Sequence, residues 1–242
     1  MIKIFRHIRQ RMLAQGRITR YLTYAIGEIV LVMVGILLAL QVNNWNEARK
    51  QSLLQDTVMA RLSEEFHALE PVMAELVEFS HSSRKGTAEV VNALRSAEPP
   101  ADEHQFRAAL ARSNWVQNVP QIAASYQEMV ATGRLTDIRD VELRKALVRY
   151  GDAHERVERI YPVATSVIFS PGSNYYRAVQ WNMDPTTWES EGGIVSYDWD
   201  ALRLSRAEMQ GWVAFQYDLA LYAEKELQEI RTILSILSQR SK

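Results

Sequence analysis

Between Tyr21 and Val42 the chain runs for 22 residues without Lys, Arg, Asp or Pro, and Glu28 is the one acid in the run. A helix of that length covers roughly 33 Å at about 1.5 Å per residue, which matches a hydrocarbon core of about 30 Å. The segment is therefore expected to be a transmembrane helix over residues 21–43. That divides the chain into a short leading stretch, residues 1–20, and a long following domain, residues 44–242.

Charge sets the expected orientation. Residues 1–20 carry Lys3, Arg6, Arg9, Arg11, Arg17 and Arg20 with no acid, whereas the far side begins with Asn43, Asn44, Trp45, Asn46 and Glu47. Short flanks rich in Lys and Arg stay cytoplasmic. The N-terminus is expected inside and the following domain outside, in the periplasm if the membrane is a bacterial inner membrane. Trp45 is an interfacial anchor by residue type. A cleaved signal peptide is the alternative, but the apolar core exceeds the usual range of about 7–15 residues and Leu38-Ala39-Leu40-Gln41 is a poor cleavage site, so an uncleaved signal anchor is preferred. Ahead of the span, Ile2, Phe5, Ile8 and Met12 share one side of a basic amphipathic helix suited to an anionic leaflet or to a cytoplasmic protein contact.

Within the span, Tyr24, Glu28, Gly35 and Ala39 share a stripe with Tyr21 and Leu31. Gly35 and Ala39 form a small-xxx-small pair that lets two helices approach closely. Glu28, about 12 Å along the axis from Arg20, costs at least about 2.5 kcal/mol in lipid unless paired or protonated. The stripe is expected to be a contact with a second copy or with another membrane subunit; an ion-coupling role for Glu28 is the alternative.

The composition, 47% hydrophobic over 242 residues, supports one anchored domain with a sizeable core. The absence of cysteine excludes disulfides, thiolate catalysis and zinc–thiolate sites. A net charge of −1 with +6 on residues 1–20 leaves the rest at −7, which argues against nucleic-acid binding.

The remaining pattern is helical. Leu54, Val58, Leu62, Phe66, Leu69, Met73 and Leu76 form one apolar stripe, which Pro71 is expected to kink or interrupt. Ser80 to Ser83 and Gly86 suggest a break before a short helix near Ala88–Arg95. Asp102 and Asp140 are expected to cap helices, Gly133 to end one after Val130, and the helix from Asp140 to run towards Pro162. Ser205 and Glu208 read as a capping box for a last helix whose seam is Met209, Val213, Gln216, Ala220, Ala223, Leu227, Ile230, Leu234 and Leu237. The expected fold is all-α: an amphipathic helix, one transmembrane helix and an antiparallel helical bundle with a coiled-coil-like seam. Residues 171–200 break this pattern with an aromatic-rich irregular insertion carrying Tyr175, Tyr176, Trp181, Trp188, Tyr197 and Trp199. These rings either plug the end of the bundle or line a ligand site.

Two stretches carry a family resemblance. YAIGEIVLVMVGILLALQVNNWNEARK at Tyr24–Lys50, preceded by IFRHIRQ at Ile4–Gln10, and SYQEMVATGRLTDIRDVELRKALVRY at Ser125–Tyr150 resemble the bacterial family known as domain of unknown function 6090. The resemblance implies a membrane-anchored, mostly helical protein without an assigned activity, and it supplies no catalytic residues. The segment Pro171–Asp200 departs from that pattern.

Chemical motifs are thin. Glu64 and His67 have a Glu-x-x-His spacing but lack the second copy that a carboxylate-bridged metal bundle needs. His154-Glu155 is not followed by the second His of a zinc-protease motif, and phosphate loops and serine-nucleophile signatures are missing. No catalysis, metal or cofactor is expected. The leading expectation is a scaffold or accessory subunit in the bilayer that self-associates or joins a membrane complex. A ligand-sensing module is the alternative, which a pocket among the Tyr175–Trp199 aromatics would favour; ion coupling through Glu28 is a third reading.

Overall fold

The computed structural model describes residues 18–182 and 193–240, with the backbone alone described at 18–21, 23, 24 and 240. The expected amphipathic helix at the N-terminus and Trp188 lie outside the described residues. The described chain is mostly helical. Its elements are α1 (Ile18–Ala93), α2 (Glu103–Ser113), α3 (Ala124–Ala131), a 3-10 turn (Arg134–Asp137), α4 (Val141–Ile168), α5 (Asn174–Ala178), β1 (Val179–Trp181), β2 (Ile194–Tyr197), α6 (Trp199–Leu204) and α7 (Arg206–Arg240).

The chain forms two units, residues 1–57 and 58–242. In the first, every side chain from Ile26 to Leu54 is exposed, including the whole run of Ile, Leu, Val and Met. Among the described residues, α1 is the one helix long and apolar enough to cross a membrane.

The second unit is built on α4 and α7, which run antiparallel: Arg149 pairs with Glu229 at 3.0 Å and His154 with Glu226 at 2.8 Å. α7 also runs antiparallel to α1, through Glu70–Arg231 at 2.9 Å and His81–Glu224 at 2.6 Å. One core cluster gathers Leu62, Phe66, Met73, Leu143, Leu147, Tyr150, Ile230 and Leu234. A second gathers Val90, Leu110, Ile168, Tyr175, Leu202, Met209 and Trp212. Buried polar residues contributed by α1, α2, α4 and α7 occupy the intervening stretch: Ser80, Ser83, Thr87, Ser113, His154, Gln216 and Glu226.

Several local signals act as expected. Asp102 accepts from the Gln105 amide and opens α2, Asp140 accepts from the amides of Glu142 and Leu143 and opens α4, and Gly133 takes φ 70° after α3.

Others are overturned. α1 continues through Pro71, whose ring is exposed, while Phe66 and Met73 on either side are fully buried and hold the helix to the core. The break expected at Ser80–Ser83 and Gly86 is absent. Ser80 and Thr87 donate to the carbonyls of Leu76 and Ser83 one turn earlier, so their hydroxyls need no water. Gly86 is a contact point: a Cβ there would stand 2.9 Å from the Ala109 carbonyl oxygen and 3.0 Å from Arg112 Cβ.

The capping box also fails. Ser205 ends α6 and donates to the Leu202 carbonyl at 2.6 Å, while Glu208 reaches across to Ser173 and Asn174. Val213, assigned to the α7 seam, is only partly buried, whereas Trp212 is fully so.

The insertion at 171–200 is more ordered than its composition implies. α5 leads into an antiparallel ribbon pairing Val179 with Tyr197, Gln180 with Ser196 and, past a bulge, Trp181 with Ile194; α6 follows. The alternation of Val179-Gln180-Trp181 buries Val179 and leaves Gln180 exposed, as a short strand requires.

Candidate functional site

In the first unit, Glu28, Gly35 and Ala39 are exposed on α1, and among the described residues nothing beyond the adjoining turns of its own helix lies within 4 Å of a Cβ built on Gly35. The Tyr24 side chain lies outside the described residues. Trp45 is exposed, with the Arg49 guanidinium 5.9 Å from its ring centroid, and Glu47 pairs with Lys50 at 3.3 Å. An exposed apolar helix interrupted by one carboxylate, Glu28, and two glycines, Gly27 and Gly35, offers a surface to lipid or to another helix.

In the second unit, the six expected aromatics divide. Tyr175 is fully buried, donates to the Leu110 carbonyl at 2.9 Å and meets Trp212 edge-on at 5.0 Å, so it belongs to the core. Tyr197 and Trp199 pack edge-on against Phe106 at 5.2 and 5.6 Å, and Trp199 also donates to the Ala97 carbonyl. Among the described ones, Tyr176 and Trp181 line a cavity. It has a volume of about 410 Å³ and is completed by Phe79, Asn114, Trp115, Val116 and Phe169.

The floor of that cavity follows from the buried polar residues between the clusters. The last carbonyls of α2 have no intrahelical donor, and side chains distant in sequence supply one. The Ser83 hydroxyl shares its proton between the Arg112 and Trp115 carbonyls, Thr87 shares its own between the Ser83 and Ser113 carbonyls, and Gln216 donates to Ser113. These bonds fix Asn114 and Trp115 beside α1, where Trp115 stacks on Phe79 at 5.8 Å with the planes 12° apart. Trp115 and Phe169 stay 43% and 48% exposed at the mouth. Asn114 is nearly buried, and among the described residues neither its Oδ1 nor the Tyr176 hydroxyl of the same lining has a hydrogen-bond partner. Burial pushes the Tyr176 phenol up, an effect the Asn114 amide partly offsets. Among the described residues the cavity is consequently an aromatic slot without formal charge on its lining.

A second polar centre lies deeper. His154 and Glu226 are 2% and 0% exposed, and His154 Nε2 lies 3.4 Å from the carboxylate of Glu158 on the rim. Burial alone would depress the imidazole, but the hydrogen bond and charge of Glu226 and the charge of Glu158 raise it above its ordinary value. Burial likewise raises Glu226, against the pull of His154. Among the described residues no group of three or more His, Asp or Glu is placed to hold a metal ion.

Sequence reasoning missed Phe79, Asn114, Trp115 and Phe169, which come from three separate segments, and it missed Glu226. One usable signal was present: a Trp and a Phe standing in loop positions outside any helical stripe.

A family model described as a family of unknown function, DUF6090, matches residues 28–161. No curated protein and no solved structure matches the chain. The matched region contains Phe79, Asn114 and Trp115 but ends before Phe169, Tyr176 and Trp181.

Proposed function

The chain belongs to the family of unknown function DUF6090, and from that premise we propose that it is a single-pass membrane protein acting as a scaffold or accessory subunit. The observation that carries this reading is the unbroken exposure of the apolar residues from Ile26 to Val42. Twelve exposed Leu, Ile, Val and Met side chains would each cost about 1.5–3 kcal/mol relative to burial, and a bilayer removes that cost. The N-terminus lies in the cytoplasm and the second unit on the far side of a bacterial inner membrane, as the basic flank directs. Self-association, or association with another membrane subunit, uses the face of Glu28, Gly35 and Ala39, where close backbone approach and a shared proton stabilise the contact.

The absence of cysteine makes the topology easy to test. Ser235→Cys, an exposed position on α7, should react with a membrane-impermeant maleimide in cells whose outer membrane has been permeabilised, and the protein should resist alkaline extraction. Labelling only after lysis of the inner membrane would overturn the orientation, and release by alkali would overturn the anchor. The mass of the complex in native lipid discs then separates a homo-oligomer from an accessory chain.

A further inference from the structure

We propose that the cavity bounded by Trp115, Phe169 and Asn114 binds a small, uncharged, planar aromatic molecule that hydrogen-bonds to the Asn114 amide. The inference stands apart from the membrane anchor, because every residue it uses lies in the second unit.

Three observations fix the class of ligand. The volume, about 410 Å³, is within the range of small-molecule sites and suits one or two fused rings. The walls are flat: the parallel Phe79–Trp115 pair offers a stacking face, and Phe169 and Trp181 add aromatic walls, so a planar ring gains more contact than a branched chain. Among the described residues the lining carries no carboxylate, ammonium or guanidinium, and there a charged ligand would lose its hydration without a partner.

Asn114 supplies the polar point of recognition. Its Oδ1 is buried and among the described residues lacks a hydrogen-bond partner, a loss that a ligand N–H or O–H would recover. An amide turned over would present Nδ2 at the same place, so a probe carrying both a donor and an acceptor is appropriate. The exposure of Trp115 and Phe169 at the mouth gives the ligand a way in.

The experiment uses the full chain in lipid nanodiscs, with empty nanodiscs correcting for partition into lipid. The probe is 4-fluorobenzamide, observed by fluorine line broadening. Saturable, protein-dependent broadening is expected, with 4-fluorobenzoate binding at least tenfold more weakly and cyclohexanecarboxamide failing to compete. Trp115→Ala and Phe169→Ala should each weaken binding at least fivefold. Both residues are half-exposed, so the variants should melt as the parent does, and each serves as a check on the other. Tyr217→Ala, an exposed aromatic outside the cavity lining, should bind as the parent does. Absence of protein-dependent broadening, equal binding of the benzoate, or unchanged binding in both cavity variants would overturn the proposal. Each of those results is independent of whether the chain resists alkaline extraction.

Discussion

His154 on α4 and Glu226 on α7 meet at 2.8 Å with neither side chain in contact with solvent. The imidazole is raised in the folded state, so the pair contributes stability that is fully present below the unfolded histidine value of about 6.5 and is lost as pH rises through the higher folded value. The raised Glu226 acts in the same direction in its own, lower window. The charged or titratable groups near the pair are Glu158 and Tyr150 on α4. Thermal melting of the second unit should therefore fall as pH rises above about 6.5, and His154→Gln should flatten the dependence. A parent and variant with parallel profiles would refute the linkage.

Removing one partner of this pair differs from removing both. His154→Ala leaves a carboxylate buried without its cation and should cost about 3–5 kcal/mol, whereas His154→Leu with Glu226→Leu should come within about 1 kcal/mol of the parent. Denaturant unfolding of the three proteins measures the difference.

Gly86→Ala tests the close approach of α1 and α2. Alanine is the better helix former by about 1 kcal/mol, yet its methyl would press on the backbone oxygen of Ala109, which has no rotamer to change. A net loss of about 1–3 kcal/mol is expected, and a more stable variant would show that the helices can separate without penalty.

Glu208 holds the start of α5 by accepting from Ser173 Oγ at 2.8 Å, Asn174 Nδ2 at 2.8 Å and the Asn174 amide at 3.1 Å. Bonds to a charged acceptor contribute about 1.5–3 kcal/mol in mutational series. Glu208→Ala should lose about 2 kcal/mol and Glu208→Gln less. Hydrogen exchange should locate the loss at α5 and β1, and uniform loss over the whole unit would contradict a local role.

In the bilayer, Gly35→Leu should split the proposed assembly by keeping two helices apart, and native mass measurement reads the outcome directly. Glu28→Gln should leave the assembly intact if the carboxyl is protonated and hydrogen-bonded. Dissociation of the Gln variant with survival of the Leu variant would reverse the assignment of that face.

What could be read from the chain was local. Asp102, Asp140 and Gly133 act on residues within one turn, and their effects survive any tertiary setting. Ser80, Ser83 and Gly86 look like a break because the carbonyls that Ser83 meets, on Arg112 and Trp115, and the helix that Gly86 faces belong to another segment. Glu208 fits a capping box by spacing, but a carboxylate 34 or 35 residues from its donors has no sequence signature. Glu226 sits beside Leu227 in a helix that is otherwise well patterned, and only the position of His154 makes its burial tolerable. The cavity was the least accessible to sequence reading, since its walls come from α1, the loop after α2, the end of α4 and the segment at 171–182.

The pairing of α1 with α7 also sets a schedule. Glu70 and Arg231 are 161 residues apart, and ribosomes add about 5–20 residues per second. Phe66, Met73 and Leu76 therefore wait roughly 8–30 s for α7, the last of the helices that cover them. During that interval α4 is already available to cover part of this ridge, and the face that α7 will fill stays open until α7 has been made.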